Sequence, residues 1–200
     1  MDKSIKTNKT PEQTDEKEYD LITDLLEWAE AFVLAMFVVI IVFIFFLRIV
    51  EVAGPSMSST LSDKDRIILT HLNYTPERGD IVVCNSKTLN KCIIKRCIGV
   101  GGDTVCVNYN DDTVKVNGEY IDQSYINEAD MREQSIFDQR YRTSDGVYNY
   151  TVPEGTIFVM GDNRNHSTDS RSDMVGFVSL GDVLGKAIFR FYPFSSIGSI

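Results

Sequence analysis

Histidine is scarce in this sequence: His71 and His166 are the only two in 200 residues. That leaves little for a histidine-ligated metal centre. No Gly-x-Ser-x-Gly turn accompanies them to signal a Ser–His–Asp triad. The four cysteines, Cys84, Cys92, Cys97 and Cys106, form no Cys-x-x-Cys pair, so a zinc site is weakly indicated. They read as small buried apolar side chains, or as one or two disulfides if the domain faces an oxidising compartment. Clustered positive charge is also lacking. The 20 Lys and Arg stand against 29 Asp and Glu, a net charge of −9 with no basic stripe, which argues against a nucleic-acid partner. No internal repeat or low-complexity linker breaks the chain. What is present is ordinary: 43% hydrophobic and 24% charged residues, enough for one domain with an appendage.

The chain divides into four stretches. Residues 1–20 are polar, without hydrophobic period, and read as a disordered tail. Residues 21–30 set Leu21, Leu25, Leu26 and Trp28 among acids, an amphipathic lead-in with Trp28 suited to a water–lipid boundary. Residues 31–47 are 17 uncharged apolar residues, about 25 Å of helix. Counting Arg48, Ile49 and Val50 brings this to about 30 Å, so residues 21–50 are expected to hold one uncleaved transmembrane helix. Acids rather than bases precede the run, which argues against a cleavable leader. Lys and Arg near the run lean slightly towards a cytoplasmic C-terminal domain. Residues 51–200 carry short β-branched runs at Arg66–Leu69, Asp80–Cys84, Lys91–Val100, Thr104–Val107, Thr113–Val116, Tyr148–Val152, Thr156–Met160 and Lys186–Phe191. Turn formers such as Asn117-Gly118 and Pro153-Glu154-Gly155 separate them, so a mainly β, antiparallel domain is expected. Residues 119–147 read as an insertion or lid with a short helix.

Three segments hold candidate chemistry. In Gly54-Pro55-Ser56-Met57 the serine sits where a tight turn would expose its hydroxyl, although read alone it is a turn serine. A lysine can deprotonate a serine only when neutral, which requires burial in apolar surroundings. Cys92-Ile93-Ile94-Lys95-Arg96-Cys97-Ile98 offers such a lysine, flanked on its own strand face by Ile93 and Cys97. Pattern alone favours a different reading of Lys95, an edge-strand lysine that guards against aggregation. The stretch Met160–Arg171 reads by composition as a surface loop, tied by Asp–Arg pairs.

Together, and in this order after an N-terminal apolar helix, these segments resemble signal peptidase I. The resemblance rests on Ser56-Met57 with Thr60-Leu61, and on Arg78-Gly79-Asp80-Ile81-Val82. Further along come Lys95-Arg96 with Gly99-Val100-Gly101-Gly102-Asp103, then Gly161-Asp162-Asn163-Arg164 with Ser167-Thr168-Asp169-Ser170-Arg171. Gly185-Lys186-Ala187-Ile188-Phe189-Arg190 completes it. It implies a serine endopeptidase with Ser56 as nucleophile, Lys95 as general base and Ser167 orienting the lysine. Asp162, Asp169 and Arg171 would brace the site. The Ser56 N–H would serve the oxyanion, while Gly54 stands where some relatives supply a second donor from serine. Ser59 and Gly101 stand where the family usually has proline.

The implied substrates are secretory preproteins with small residues before the cut, of Ala-x-Ala type. Val52, Met57, Leu61 and Ile94 are the expected pocket walls, and no cofactor or metal is implied. The family topology implies a cytoplasmic N-terminus, a single membrane pass and a catalytic domain outside the membrane, against the slight charge lean. Two other readings stand beside it. One is a Ser–Lys protease of the self-cleaving repressor kind, disfavoured by the apolar helix. The other is a membrane-anchored binding protein with a decayed protease fold.

Overall fold

The structure, a computed structural model, describes residues 11–72, 74–126 and 131–200, and their side chains except at 11–21 and 42–47. The chain forms two compact units, residues 1–45 and 46–200. The first is built on helix α1, Pro11–Phe46. Residues 11–20, expected within a disordered tail, are therefore helical. Pro11 suits a first helical position, where its missing N–H costs nothing, and acids nearby complement the positive end of the helix. Residues 1–10 lie outside the described residues. Among the described residues no helix is long and apolar enough to cross a membrane. The apolar run continues to residue 47, but its described side chains end at Ile41.

Arg48, Ile49 and Val50, expected to prolong the helix, instead lie in strand β1, Leu47–Glu51. Ile49 and Val50 are β-branched, and β1 finds an antiparallel partner in β2, Arg66–Thr70, from Leu47↔Thr70 to Glu51↔Arg66. The remaining strands follow in chain order: β3 (Ile81–Ser86), β4 (Lys91–Val100), β5 (Thr104–Asn108), β6 (Thr113–Val116) and β7 (Glu119–Tyr120). Then come β8 (Arg142–Ser144), β9 (Val147–Thr151), β10 (Thr156–Met160), β11 (Val178–Ser179), β12 (Val183–Tyr192) and β13 (Gly198–Ser199). Every run expected from the sequence contributes a strand. β1, β7, β8, β11 and β13 were not anticipated; four of them have only two or three residues, or little alternation to betray them.

Among the described residues the strands form two antiparallel sheets. One runs β1-β2-β12-β3-β4-β10-β11, with β13 added to β12; the other runs β7-β6-β5-β9-β8. In the second sheet one face is buried, and Val105, Val107, Val114, Val116, Tyr148 and Tyr150 pack there with Phe158 and Met160 of β10. Residues 119–147 are no detached lid. They supply both edges of this sheet, β7 and β8, and bury Met131 and Phe137 in its core. Among the described residues of this stretch, a 3₁₀ turn, Gln139–Tyr141, stands in place of the expected short helix.

The first sheet positions the site. β3 pairs with β4 along its N-terminal half, from Ile81↔Arg96 to Ser86↔Lys91. On the other side β10 pairs with β4 only from Arg96 to Val100. Among the described residues no strand pairs with Lys91–Lys95 on that side, which leaves a short open edge inside the sheet. Of the cysteines, Cys84 and Cys97 are buried as expected, but Cys92 on this edge is exposed and Cys106 is half-buried on the wet face of β5; all four are free.

Candidate active site

The segment after β1 doubles back on itself. Gly54 adopts φ +88°, a conformation that costs glycine little, and its N–H donates to Asp63 Oδ1 at 2.8 Å. This reversal carries Ser56 towards β4. Thr60 and Leu61 both donate backbone hydrogen bonds to the Met57 carbonyl, closing a helical turn directly after the serine. Met57 and Leu61 are fully buried and anchor the turn in the core.

Lys95, in the middle of β4, points at this turn. Its Nζ donates to Ser56 Oγ at 2.7 Å and to the Ile94 carbonyl at 2.9 Å. Lys95 is only 3% exposed, so it is not an edge-strand guard. Burial draws its pKa down from 10.5 to about 8, against the pull of the Asp169 carboxylate and with help from Lys91. A sizeable fraction of the amine is therefore neutral near physiological pH.

The loop after β10 braces both groups. Gly161 lies so close that a Cβ there would stand 2.5 Å from the Ser56 carbonyl oxygen and 2.3 Å from Ser167 Oγ; only glycine fits. The Asn163 N–H donates to the Ser56 carbonyl, and its Nδ2 donates to the Pro55 carbonyl and to Ser58 Oγ. Asp162 accepts from Arg96 on both oxygens, at 2.9 and 2.7 Å, and from Thr60 Oγ1 at 2.6 Å. Burial alone would lower the Arg96 pKa, but the Asp162 carboxylate raises it.

Deeper in the loop, Arg171 holds Asp169 with a two-pronged pair at 2.8 and 2.9 Å and donates to the Arg164 carbonyl. Burial opposes the Asp169 charge, yet Arg171 and the Gly161 N–H hold its carboxyl below the usual carboxylate range. Arg164, Asp169 and Arg171 are all completely buried. The expected surface loop is thus an interior one, tolerated because each charge is paired or hydrogen-bonded.

Beside Ser56 and Lys95 lies a cleft of about 310 Å³, lined by Val52, Met57 and Ile94 and also by Cys92, His166 and Thr168. Leu61, expected as a wall, does not line it; it packs beneath with Ile67 and Leu69. The Ser167 hydroxyl is buried and makes no hydrogen bond to Lys95; its influence falls instead on Asp169, whose carboxyl it helps hold low. Sequence reasoning passed over Thr60, Arg96 and Asn163 as brace residues. The blocks quoted for the resemblance contain all three, which was the available signal.

The family described as signal peptidase, peptidase S26, matches residues 25–192. The chain belongs to that family. The match spans the Ser56 turn, Lys95 and the 161–171 loop. Signal peptidase I of Bacillus licheniformis is 34% identical over 187 residues, covering 92% of this chain and 97% of that protein. Signal peptidase IB of Staphylococcus aureus strain Mu50 is 33% identical over 180 residues, 86% and 92% of the two chains. The crystal structure of a signal peptidase I from Enterococcus faecalis V583 is 34% identical and covers 56% of this chain and 97% of that one, with a TM-score of 0.44. This family member is a serine endopeptidase, a hydrolase.

Proposed function

We propose that this peptidase removes signal peptides from exported preproteins with Ser56 as nucleophile and Lys95 as general base. The observation that carries the reading is the 2.7 Å contact between Lys95 Nζ and Ser56 Oγ, around an amine brought to about 8 by burial. In its neutral form Lys95 accepts the hydroxyl proton while Oγ bonds to the scissile carbonyl carbon. The oxyanion so formed is served by the Ser56 N–H, which makes no hydrogen bond among the described residues. Collapse of the adduct breaks the C–N bond, and Lys95 returns the proton to the leaving amine. Water, deprotonated by the same amine, then hydrolyses the ester on Ser56. Ser167 Oγ, buried beside Gly161, keeps lone pairs free to accept from the Lys95 ammonium and orient it. Asp162, Asp169 and Arg171 brace rather than react.

Substrate enters as an extended strand along the open edge of Lys91–Lys95, where no described strand pairs with β4 on that side. Val52, Met57 and Ile94 leave room for small side chains before the cut, in keeping with Ala-x-Ala sites. The apolar half of α1 anchors the enzyme in the membrane. Supporting this, Phe32, Val33, Leu34 and Phe37 are all more than half exposed, and uncharged residues continue to 47. The N-terminus lies in the cytoplasm and the catalytic domain on the far face.

Cleavage of a purified preprotein with an Ala-x-Ala site, in detergent, tests the reading. The wild type cleaves at that site; Ser56→Ala and Lys95→Ala do not. Cleavage that survives either substitution breaks the Ser–Lys assignment.

A further inference from the structure

Tyr125 belongs to the 119–147 stretch and carries none of the family blocks quoted above. Its ring nevertheless lies over the ion pair that braces the nucleophile turn. The Arg96 Cζ stands 3.9 Å from the Tyr125 ring centroid. Beneath the ring, the Arg96 guanidinium donates to both Asp162 oxygens and to the Gly79 carbonyl. Its phenol oxygen accepts from Arg164 Nη2 at 3.2 Å, and Arg164 is itself held by Gln123 Oε1 and the Gly161 carbonyl. The ring thus joins two arginines that reach the two ends of one short segment, Gly161 and Asp162.

That segment is where the site is built. Arg96 follows Lys95 on β4, and Asp162 lies between Gly161, packed on the Ser56 carbonyl, and Asn163, hydrogen-bonded to it. A guanidinium under an aromatic face gains attraction from the ring and loses competing water. A shift of Arg96 would move the strand carrying Lys95 against the turn carrying Ser56. Positioning errors of this kind reduce the rate of reaction more than substrate binding. The phenol needs no charge for this, and burial keeps its pKa above the ordinary value.

We propose that Tyr125 is a positioning residue for proteolysis: its ring caps the Arg96–Asp162 pair and so holds Lys95 in line with Ser56. This rests on the Ser–Lys reading above. The test compares the full-length wild type in detergent with Tyr125→Phe, Tyr125→Leu and Ser56→Ala, on the same Ala-x-Ala preprotein. Rates are normalised to the fraction of enzyme that forms an acyl-enzyme burst, and thermal unfolding is followed in parallel.

Tyr125→Leu fills the space without a π face, and is expected to lower kcat about 3- to 10-fold with KM unchanged within about twofold. Tyr125→Phe keeps the face over Arg96 and is expected to stay within about twofold of wild type. A Leu variant with wild-type kcat overturns the proposal, as does a Leu variant altered in KM alone. A Phe variant as slow as Leu also overturns it, since the ring would then not be the cause. If Leu is too unstable to purify, Tyr125→Trp, which restores a larger face, must keep kcat near wild type; a loss there overturns the proposal equally. Residual cleavage by Ser56→Ala would instead sink the Ser–Lys reading itself, so the two failures are distinct.

Discussion

In the five-stranded sheet, buried and wet side chains alternate along β5, β6 and β9, and the buried strand positions are Val and Tyr. In the larger sheet, β4 and β10 are buried on both faces over most of their length. There, and in the loop after β10, lie Lys95, Asp162, Arg164, Asp169 and Arg171, all close to fully buried. A one-faced sheet lets its charged side chains reach water: Lys115 and Glu119 lie outside the buried face of the second sheet. A two-faced sheet leaves a lysine nowhere to go, and desolvation lowers the Lys95 pKa. The first sheet gives up stability for chemistry, while the second mainly stabilises.

The largest effect should come from Lys95→Met, which makes the first sheet resemble the second. Cleavage should fall by about 10³-fold or more, because Lys95 Nζ is the amine hydrogen-bonded to Ser56 Oγ. Stability should nevertheless rise. The Lys95 pKa is lower folded than unfolded, so the unfolded chain holds more protons between about pH 8 and 10.5. The wild type therefore gains stability as pH rises through that window and bears the whole cost below it. At pH 7 the Met variant should be more stable by about 1–3 kcal/mol, a gain that fades by about pH 10. Denaturant unfolding at both pH values reads this, and a variant less stable at pH 7 would contradict the burial account.

Gly161→Ala comes next. A methyl group there meets the Ser56 carbonyl and Ser167, so the Ser56 turn must shift. Displacement near 1 Å should cost about 100-fold in kcat with a folded spectrum retained. Wild-type turnover would show that the turn adapts freely.

A milder effect lies in pH. With the lysine base near pKa 8, kcat/KM should rise through that value and level off above it, with about a tenth of the plateau at pH 7. A flat profile from pH 6 to 9 would remove Lys95 as base.

The smallest effect belongs to the second sheet. The Tyr150 hydroxyl is buried without a partner. Tyr150→Phe should raise stability by about 1 kcal/mol and leave cleavage unchanged, as a melting curve and an activity assay would show. A slower enzyme would mean that the core Tyr150 shares with Phe158 of β10 carries strain through to the site.

Particular residues show where local pattern sufficed. Lys91–Val100, Thr113–Val116 and Thr156–Met160 are strands over the stretches that β-branched runs and flanking turns predict. Leu47–Glu51 escaped because its apolar residues continue a helical run, and only pairing with β2 makes it a strand. The 161–171 loop misled in the opposite sense. Its Asp, Asn, Ser and Arg read as surface by composition, yet Asp169 and Arg171 satisfy each other and go inside. Lys95 was ambiguous for the same reason, since alternation gives the face of a strand but not what covers it.

The sequence by itself determined the β-rich architecture, the apolar N-terminal run and the residue types from which a Ser–Lys site can be made, because these follow from short-range periodicity and side-chain chemistry. Only the tertiary structure decided that Lys95 meets Ser56 39 positions away, that Asp162 clasps Arg96 66 positions away, and that Tyr125 covers the clasp. A pKa, a close approach at Gly161 and a buried ion pair are properties of what long loops bring together, and no local pattern along the chain encodes them.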